Sequence, residues 1–187
     1  MKVIAINGSS RKNGNTSKII NIIFEQLKTF EIDCELIELS DIEINPCKGC
    51  FACTGKGNCV FNNDGFHEIM EKMKNADGII LGSPVYSADV SAKMKALLER
   101  GGVVVATNKG LLKHKVGCSV ASVRCAGGLT AVDTMNHFLL NKEIIIVGST
   151  YWNMVYGKND GDVFSDAEGI ANMKNLGENM GWILSKL

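Results

Sequence analysis

Asn-Gly-Ser-Ser-Arg-Lys-Asn-Gly-Asn-Thr-Ser, residues 7–17, lies between a short apolar run and a stretch in which apolar residues recur at helical spacing. The run 2–6 contains β-branched residues and predicts a strand, and the pattern from Ile19 to Phe30 predicts a helix. A small polar loop in this position suits an anion, because its backbone N–H groups and the positive end of the helix dipole converge on one point. The stretch therefore predicts a phosphate site, with side-chain donors at Ser9, Ser10, Arg11, Asn15, Thr16 and Ser17.

The composition of this loop restricts the class of phosphate-bearing ligand that it can bind. It lacks Gly-x-x-x-x-Gly-Lys-Ser/Thr, which disfavours a nucleoside triphosphatase, and it lacks the Gly-x-Gly-x-x-Gly dinucleotide fingerprint. A loop rich in hydroxyl and amide groups suits a phosphate monoester such as that of FMN. The alternative is a strand–helix connection with good capping residues and no ligand.

Length and charge restrict the class of protein. The 187 residues are 45% hydrophobic, which predicts one domain, 1–187, with a sizeable core. Lysine plus arginine equals aspartate plus glutamate, so broad binding to nucleic acid or to an anionic membrane is not expected. No apolar run is long enough to span a bilayer, and we expect a cytoplasmic protein. Seven cysteines then indicate metal or redox chemistry before structural disulfides.

Strand and helix patterns alternate along the chain, which predicts a parallel sheet covered on both faces. Five strands fit a flavodoxin-like α/β fold with the strand order 2-1-3-4-5 and ligands at the carboxyl ends of the strands. The segment 103–115 is left open, either as a strand or as an apolar lid over a ligand. The strands are predicted at 2–6, 34–39, 79–81, 116–123 and 143–148, and the helices at about 16–30, around 66–73, at 91–100 with Gly101-Gly102 as its end, before Leu140 and after Ser165. The segment 151–165 is predicted to be a connection.

Three loops would open on the same edge of this sheet. They follow the first, third and fourth predicted strands, at 7–17, at 82–86 and at 124–129. Because the carboxyl ends of parallel strands meet at one edge, the three loops are expected to form one ligand site.

Four cysteines follow the pattern Cys-x2-Cys-x2-Cys-x5-Cys within the predicted loop 46–63, the cysteine loop. Three thiolates at every third residue can wrap one cubane, and the fourth closes the set from farther along. Zinc usually takes two well-separated Cys-x2-Cys pairs, so the spacing favours an iron–sulfur cluster. A redox-active or vestigial cysteine loop without metal remains the alternative. The candidate ligands are Cys47, Cys50, Cys53 and Cys59.

With these motifs, nearly the whole chain resembles the iron–sulfur flavoproteins of the NADPH-dependent FMN reductase superfamily. Residues 8–17 match the phosphate loop of that family, 83–86 match its second flavin-contacting loop, and the cysteine pattern matches its [4Fe–4S] motif. The third flavin loop matches more weakly, because Cys125-Ala126 replaces small polar residues. The resemblance implies additional flavin contacts at Ser83, Pro84, Val85, Tyr86, Ser122, Arg124, Gly127 and Gly128.

The resemblance also implies a function. It indicates an electron-transfer oxidoreductase that contains FMN and a [4Fe–4S] cluster and forms a homodimer or homotetramer. A carrier such as ferredoxin would supply electrons through the cluster to FMN. FMN would pass them to an acceptor such as dioxygen, peroxide or a quinone-like compound. We assign no acid–base residue. The alternatives are an NAD(P)H-dependent FMN or quinone reductase with a structural cysteine loop, and a redox or iron sensor without turnover.

Overall fold

Strands and helices alternate throughout the computed structural model, which describes residues 1–187. The strands are β1 (Lys2–Asn7), β2 (Asp33–Glu38), β3 (Gly78–Pro84), β4 (Val116–Val123), β5 (Ile145–Ile146) and β6 (Met154–Tyr156). The helices are α1 (Asn15–Lys28), α2 (Phe66–Asn75), α3 (Ala92–Ala106), α4 (Gly128–Asn141) and α5 (Ala167–Leu184).

All strand pairings are parallel, and the sheet follows the predicted order 2-1-3-4-5. At its centre Ala5 of β1 aligns with Leu36 on one side and with Ile80 on the other. One buried apolar cluster lies between the sheet and α1 and α5, and a second lies between the sheet and α2, α3 and α4. The flavodoxin-like architecture predicted from the sequence is therefore confirmed.

The fifth position of the sheet differs from the prediction of one strand at 143–148. Only Ile145–Ile146 pairs with the start of β4, and the chain returns as β6 to pair with the end of β4. Between them the hydroxyl of Ser149 donates to the carbonyl of Tyr151 and contacts Asn153 Oδ1 at 2.7 Å. These local bonds compete with the strand ladder, so two short strands share the position.

Helix α3 does not end at Gly101-Gly102 as the sequence analysis predicts, but continues to Ala106. Gly101 is buried, and the following Val104 and Val105 are buried in the core. Burial of this apolar turn outweighs the low helix propensity of two glycines. The undecided segment 103–115 thus begins as helix rather than as a strand.

Candidate functional site

The loop after β1 is shaped by its own side chains. Asn7 is fully buried, and its Oδ1 accepts a hydrogen bond from the N–H of Ser9 at 2.9 Å. The Ser9 hydroxyl in turn accepts from the N–H of Arg11 at 3.0 Å. Two successive side-chain-to-backbone turns therefore bend the chain before α1 begins.

The N-terminus of α1 is open to a ligand. Its N-cap residue is Gly14, no side chain accepts a hydrogen bond there, and the first turn contains no acidic residue. The first N–H groups of a helix have no intrahelical acceptor, so those of Asn15, Thr16 and Ser17 are available as donors. With the helix dipole they form a site for an anion.

A carboxylate fixes this loop from behind. Glu38, at the end of β2, accepts hydrogen bonds from the Asn7 side chain at 2.6 Å and from the Ser17 hydroxyl at 2.7 Å. It also accepts from the N–H of Asn13 at 3.3 Å. The Ser17 side chain is thereby bonded to the interior.

Loops after β3 and β4 complete the edge of the site. The Tyr86 hydroxyl lies 3.2 Å from the hydroxyl of Ser10, and the hydroxyls of Thr16 and Ser122 are 2.8 Å apart. Gly127 has φ of 83°, and a Cβ there would come within 2.8 Å of Ala88 Cα. The three predicted loops therefore pack against one another at the carboxyl edge of the sheet.

These loops enclose a cavity of about 250 Å³, the phosphate cavity. Among the nominated residues, those that line it are Ser9, Arg11, Asn15, Thr16, Pro84, Val85, Tyr86, Ser122 and Arg124. Those that do not line it are Ser10, Ser17, Ser83, Gly127 and Gly128. Ser83 is buried, and its hydroxyl accepts from the N–H of Ser91 and donates to the carbonyl of Pro84.

A fourth wall of the phosphate cavity lies in the segment that sequence reasoning treated only as a connection. Gly157, Lys158 and Asp160 line the cavity. The Asn15 side chain holds this segment, donating to the carbonyl of Asn159 and accepting from a backbone N–H, both at 2.8 Å. A loop rich in glycine and charged residues directly after β6 was the available signal, but the sequence pattern did not indicate β6 itself.

Three cations face the phosphate cavity from different loops: Arg11, Arg124 and Lys158. None of them pairs with a carboxylate of the chain. The acidic residue of the cavity, Asp160, is paired with Lys18 at 2.5 Å. The cavity thus has uncompensated positive charge beside the N-terminus of a helix, and this suits a phosphate dianion.

The four candidate cysteine ligands line a second cavity of about 480 Å³, the thiol cavity. All four are free thiols; Cys53 is buried and Cys50 is exposed. No group of three cysteine, histidine or acidic side chains is gathered closely enough to hold a metal ion. Left-handed backbone at Gly49, Gly55 and Gly57 turns the loop around the cavity.

The C-terminal end of α3 holds the middle of the cysteine loop. The Asn108 side chain donates to the carbonyl of Cys53 at 2.9 Å and accepts from the N–H of Gly57 at 2.8 Å. The Thr107 hydroxyl lies 3.5 Å from the sulfur of Cys53. Within the undecided segment 103–115, Val103 and Val104 of α3 line the thiol cavity, and the two residues after the helix hold the cysteine loop.

The remaining cysteines lie outside the thiol cavity. Burial raises the pKa of the Cys118 thiol to about 12 and that of Cys34 to about 11, where nearby Lys28 opposes the rise. Neither thiol therefore carries charge at neutral pH, and both pack as small hydrophobic residues in or against the core. Cys125 is exposed in the loop after β4.

The residues present fit FMN in the phosphate cavity, because free helix-terminal N–H groups and three cations match its phosphate. For the thiol cavity, the donor chemistry fits an iron–sulfur cluster, since four free thiols from one loop face one space. The two cavities share no lining residue.

Comparison with known proteins identifies the family. The family model described as NADPH-dependent FMN reductase matches residues 1–159. The chain belongs to this family. The chain is also similar to an iron–sulfur flavoprotein of Methanocaldococcus jannaschii, 39% identical over 185 residues that cover 95% of this chain and 94% of the relative. An iron–sulfur flavoprotein of Methanosarcina thermophila is 37% identical over 79% of this chain and 78% of its own length.

Solved structures agree on the fold of this FMN reductase family member. A flavodoxin from the domain Archaea superimposes with a TM-score of 0.64 at 15% identity, covering 99% of both chains. With the family and the relatives, this supports a flavin-dependent oxidoreductase with a flavodoxin-like fold, and the family supports FMN as its flavin. None of the helices has both the length and the apolar character needed to cross a membrane.

Proposed function

We propose that this protein is an electron-transfer oxidoreductase that holds FMN in the phosphate cavity and a [4Fe–4S] cluster in the thiol cavity. Electrons would come from a carrier such as ferredoxin and pass to an acceptor such as dioxygen, peroxide or a quinone-like compound. The observation that carries the proposal is the presence of two separate cavities in one chain, one built for a phosphate and one lined by four free thiols. When bound, the two cofactors supply one- and two-electron redox chemistry.

In the phosphate cavity the chain would bind and orient FMN. The N–H groups at the start of α1, together with Arg11 and Lys158, would hold the phosphate. Val85, Tyr86 and Arg124, from the loops after β3 and β4, would contact the rest of the flavin. The Asn15 side chain holds the segment that carries Lys158 in place.

In the thiol cavity Cys47, Cys50, Cys53 and Cys59 would be the ligands. Gly49, Gly55 and Gly57 have positive φ, which suits glycine, and this conformation would let the loop bend around a bound cluster. The iron–sulfur relatives support this assignment. Seven free thiols support a reducing, cytoplasmic compartment.

A second candidate function is an NAD(P)H-dependent FMN or quinone reductase, in which the cysteine loop is structural. The family description favours it, and so does the exposure of Tyr86, 42% of whose surface is accessible in a cavity with three unpaired cations. A nicotinamide would need to reach the flavin beside that ring. A sensor without turnover is the third candidate.

We further propose a homodimer or homotetramer, supported by the zero net charge and by exposed aromatic residues at Phe51, Phe61 and Trp152. In such an assembly the thiol cavity of one subunit would lie near the phosphate cavity of another, so that the cluster of one subunit could exchange electrons with the FMN of its neighbour. Sedimentation of the purified protein tests this, and a monomer would contradict it.

The deciding experiment is anaerobic, with FMN, iron and acid-labile sulfide assayed on the same sample. We expect about one FMN and one four-iron cluster per chain, with flavin reduction by reduced ferredoxin faster than by NADPH. FMN without iron or sulfide after reconstitution, together with rapid flavin bleaching by NADPH alone, would favour the plain reductase. Two cofactors without steady-state turnover of any acceptor would favour the sensor.

A further inference from the structure

The two ends of the cysteine loop are tied to one buried arginine. Arg100, in the middle of α3, is 3% exposed and lines the thiol cavity. Its guanidinium donates to the carbonyl of Phe61 after the cysteines and contacts the carbonyl of Asn45, before them, at 3.5 Å. A single side chain therefore bridges positions on both sides of the four cysteines.

Asp64 completes this arrangement. It pairs with Arg100 at 2.6 Å, and its side chain is 1% exposed. The same carboxylate oxygen accepts from the backbone N–H and the side-chain amide of Asn45, at 2.8 and 2.9 Å, while the other oxygen accepts from the N–H of Phe66 at 3.2 Å. The pair Asp64–Arg100, the clamp, thus joins both ends of the cysteine loop to each other and to α3.

The clamp holds its geometry by packing as well as by charge. The guanidinium of Arg100 lies 4.3 Å from the ring centroid of Phe66, which is fully buried. Guanidinium has five donors in a planar fork, so it can serve two carbonyls and a carboxylate at once, as an ammonium cannot. Lys48 also lines the thiol cavity but is exposed and lies over the ring of Phe61.

We propose that Arg100 is a positioning residue for the iron–sulfur site: it closes the cysteine loop through Asn45 and Phe61, and it presents the positive end of the buried Asp64–Arg100 pair to the thiol cavity. The electrostatic role rests on the proposed function, because it requires a bound cluster. The potential of a thiolate-bound cluster depends on net charge and hydrogen bonding around it. A buried cation favours the more negative, reduced form, so its removal should lower the reduction potential.

The experiment compares Arg100→Gln, Arg100→Lys and, as the matched control, Lys95→Gln, which removes an exposed cation of the same helix that lies outside the thiol cavity. The first readout is hydrogen exchange of the amides in 46–63 in iron-free protein. We expect exchange about tenfold faster in Arg100→Gln and Arg100→Lys, and unchanged in Lys95→Gln. Unchanged exchange in Arg100→Gln would overturn the loop-closing role. If that variant does not fold, the doubly neutral Asp64→Asn/Arg100→Gln chain takes its place, with the same expectation.

The second readout is an anaerobic redox titration of the reconstituted proteins, followed by electron paramagnetic resonance. We expect the reduced-to-oxidised ratio at a fixed potential to fall about tenfold in Arg100→Gln, about 59 mV for one electron. The reduction potential of Arg100→Lys should be close to that of the wild type, because lysine keeps the positive charge and loses only the hydrogen bonds to the carbonyls. Equal potentials in wild type and Arg100→Gln would overturn the electrostatic role.

The two failures are distinguishable. Wild-type protein that takes up no iron or sulfide would refute the cluster and, with it, the electrostatic role of Arg100. The exchange measurement in iron-free protein would still decide whether the arginine closes the loop.

Discussion

The phosphate cavity and the thiol cavity are built in different ways. The first is formed by short loops that follow directly on strands, and its shape is fixed by neighbouring side chains such as Asn7 and Ser9. The second is formed by one long loop without regular structure, which is held by residues far from it in sequence, Arg100 of α3 and Asn108 just after that helix. The comparison teaches that both sites need distant contacts, but of different kinds: the phosphate cavity joins several loops across one edge of the sheet, whereas the four cysteines of the thiol cavity come from one loop that distant residues hold.

The largest expected effect is the loss of a cluster ligand, and it tests whether the two cavities are independent. We expect Cys50→Ala to lose essentially all iron and sulfide while it keeps FMN, because Cys50 is exposed and does not line the phosphate cavity. Metal and flavin assays on one anaerobic sample measure both. Cys34→Ala, outside both cavities, is the control and should keep both cofactors. A parallel loss of FMN in Cys50→Ala would show that the cavities are not independent.

The next effect concerns stability. Asp64→Asn leaves the buried charge of Arg100 without its partner, and breaking a buried pair in this way costs about 3–5 kcal/mol of unfolding free energy. Urea unfolding measures the loss. Asp41→Asn is the control, because Asp41 pairs with Lys12 on the surface and its removal should leave stability unchanged. Equal losses in the two variants would mean that the clamp has no special role.

The features of the fold and of the two cavities that the sequence could predict are those that depend on residues close together in the chain. The strand, loop and helix around residues 7–17 form through local periodicity and turn chemistry, so the sequence predicted their order and the edge at which they meet. The spacing of the four cysteines likewise placed them in one loop. Both patterns involve residues that are close in sequence.

What the sequence could not predict depends on tertiary contacts. Gly101-Gly102 favours an end to α3, and only the buried valines after it explain why the helix continues. Lys158 enters the phosphate cavity because Asn15, far away in sequence, holds the segment that carries it. Nothing near Arg100 in the sequence marks it as the partner of Asp64, and no single-sequence pattern reports such a pair.

A smaller effect sharpens the account of the phosphate cavity. We expect Lys158→Gln to weaken FMN binding by about 1–2 kcal/mol, roughly five- to thirtyfold, because it removes an unpaired cation from the phosphate cavity. Flavin fluorescence titration measures it. Riboflavin, which lacks the phosphate, should bind the variant and the wild type equally. Lys12→Gln, paired with Asp41 outside the cavity, is the control variant. An equal loss for riboflavin would show that Lys158 acts on the cavity as a whole.

The smallest effect lies in the pH dependence of the clamp. Burial alone would favour the neutral acid at Asp64, but bonds from the N–H groups of Asn45 and Phe66 and from Arg100 outweigh it and lower the pKa of this carboxyl below its usual 3.8. A carboxyl whose pKa is lower in the folded state stabilises the fold fully above its unfolded pKa, and this contribution is lost as the pH falls through the folded value.

The difference in unfolding free energy between wild type and Asp64→Asn should therefore be constant near neutral pH and shrink between about pH 5 and about pH 2. Urea unfolding at a series of pH values gives this difference directly, and because other carboxyls titrate equally in both proteins, their contributions cancel. A difference that stays constant down to the lowest pH would mean that Asp64 has the same pKa in the folded and unfolded chains. The clamp would then hold the cysteine loop by hydrogen-bond geometry, with no net contribution from the charge of the carboxylate.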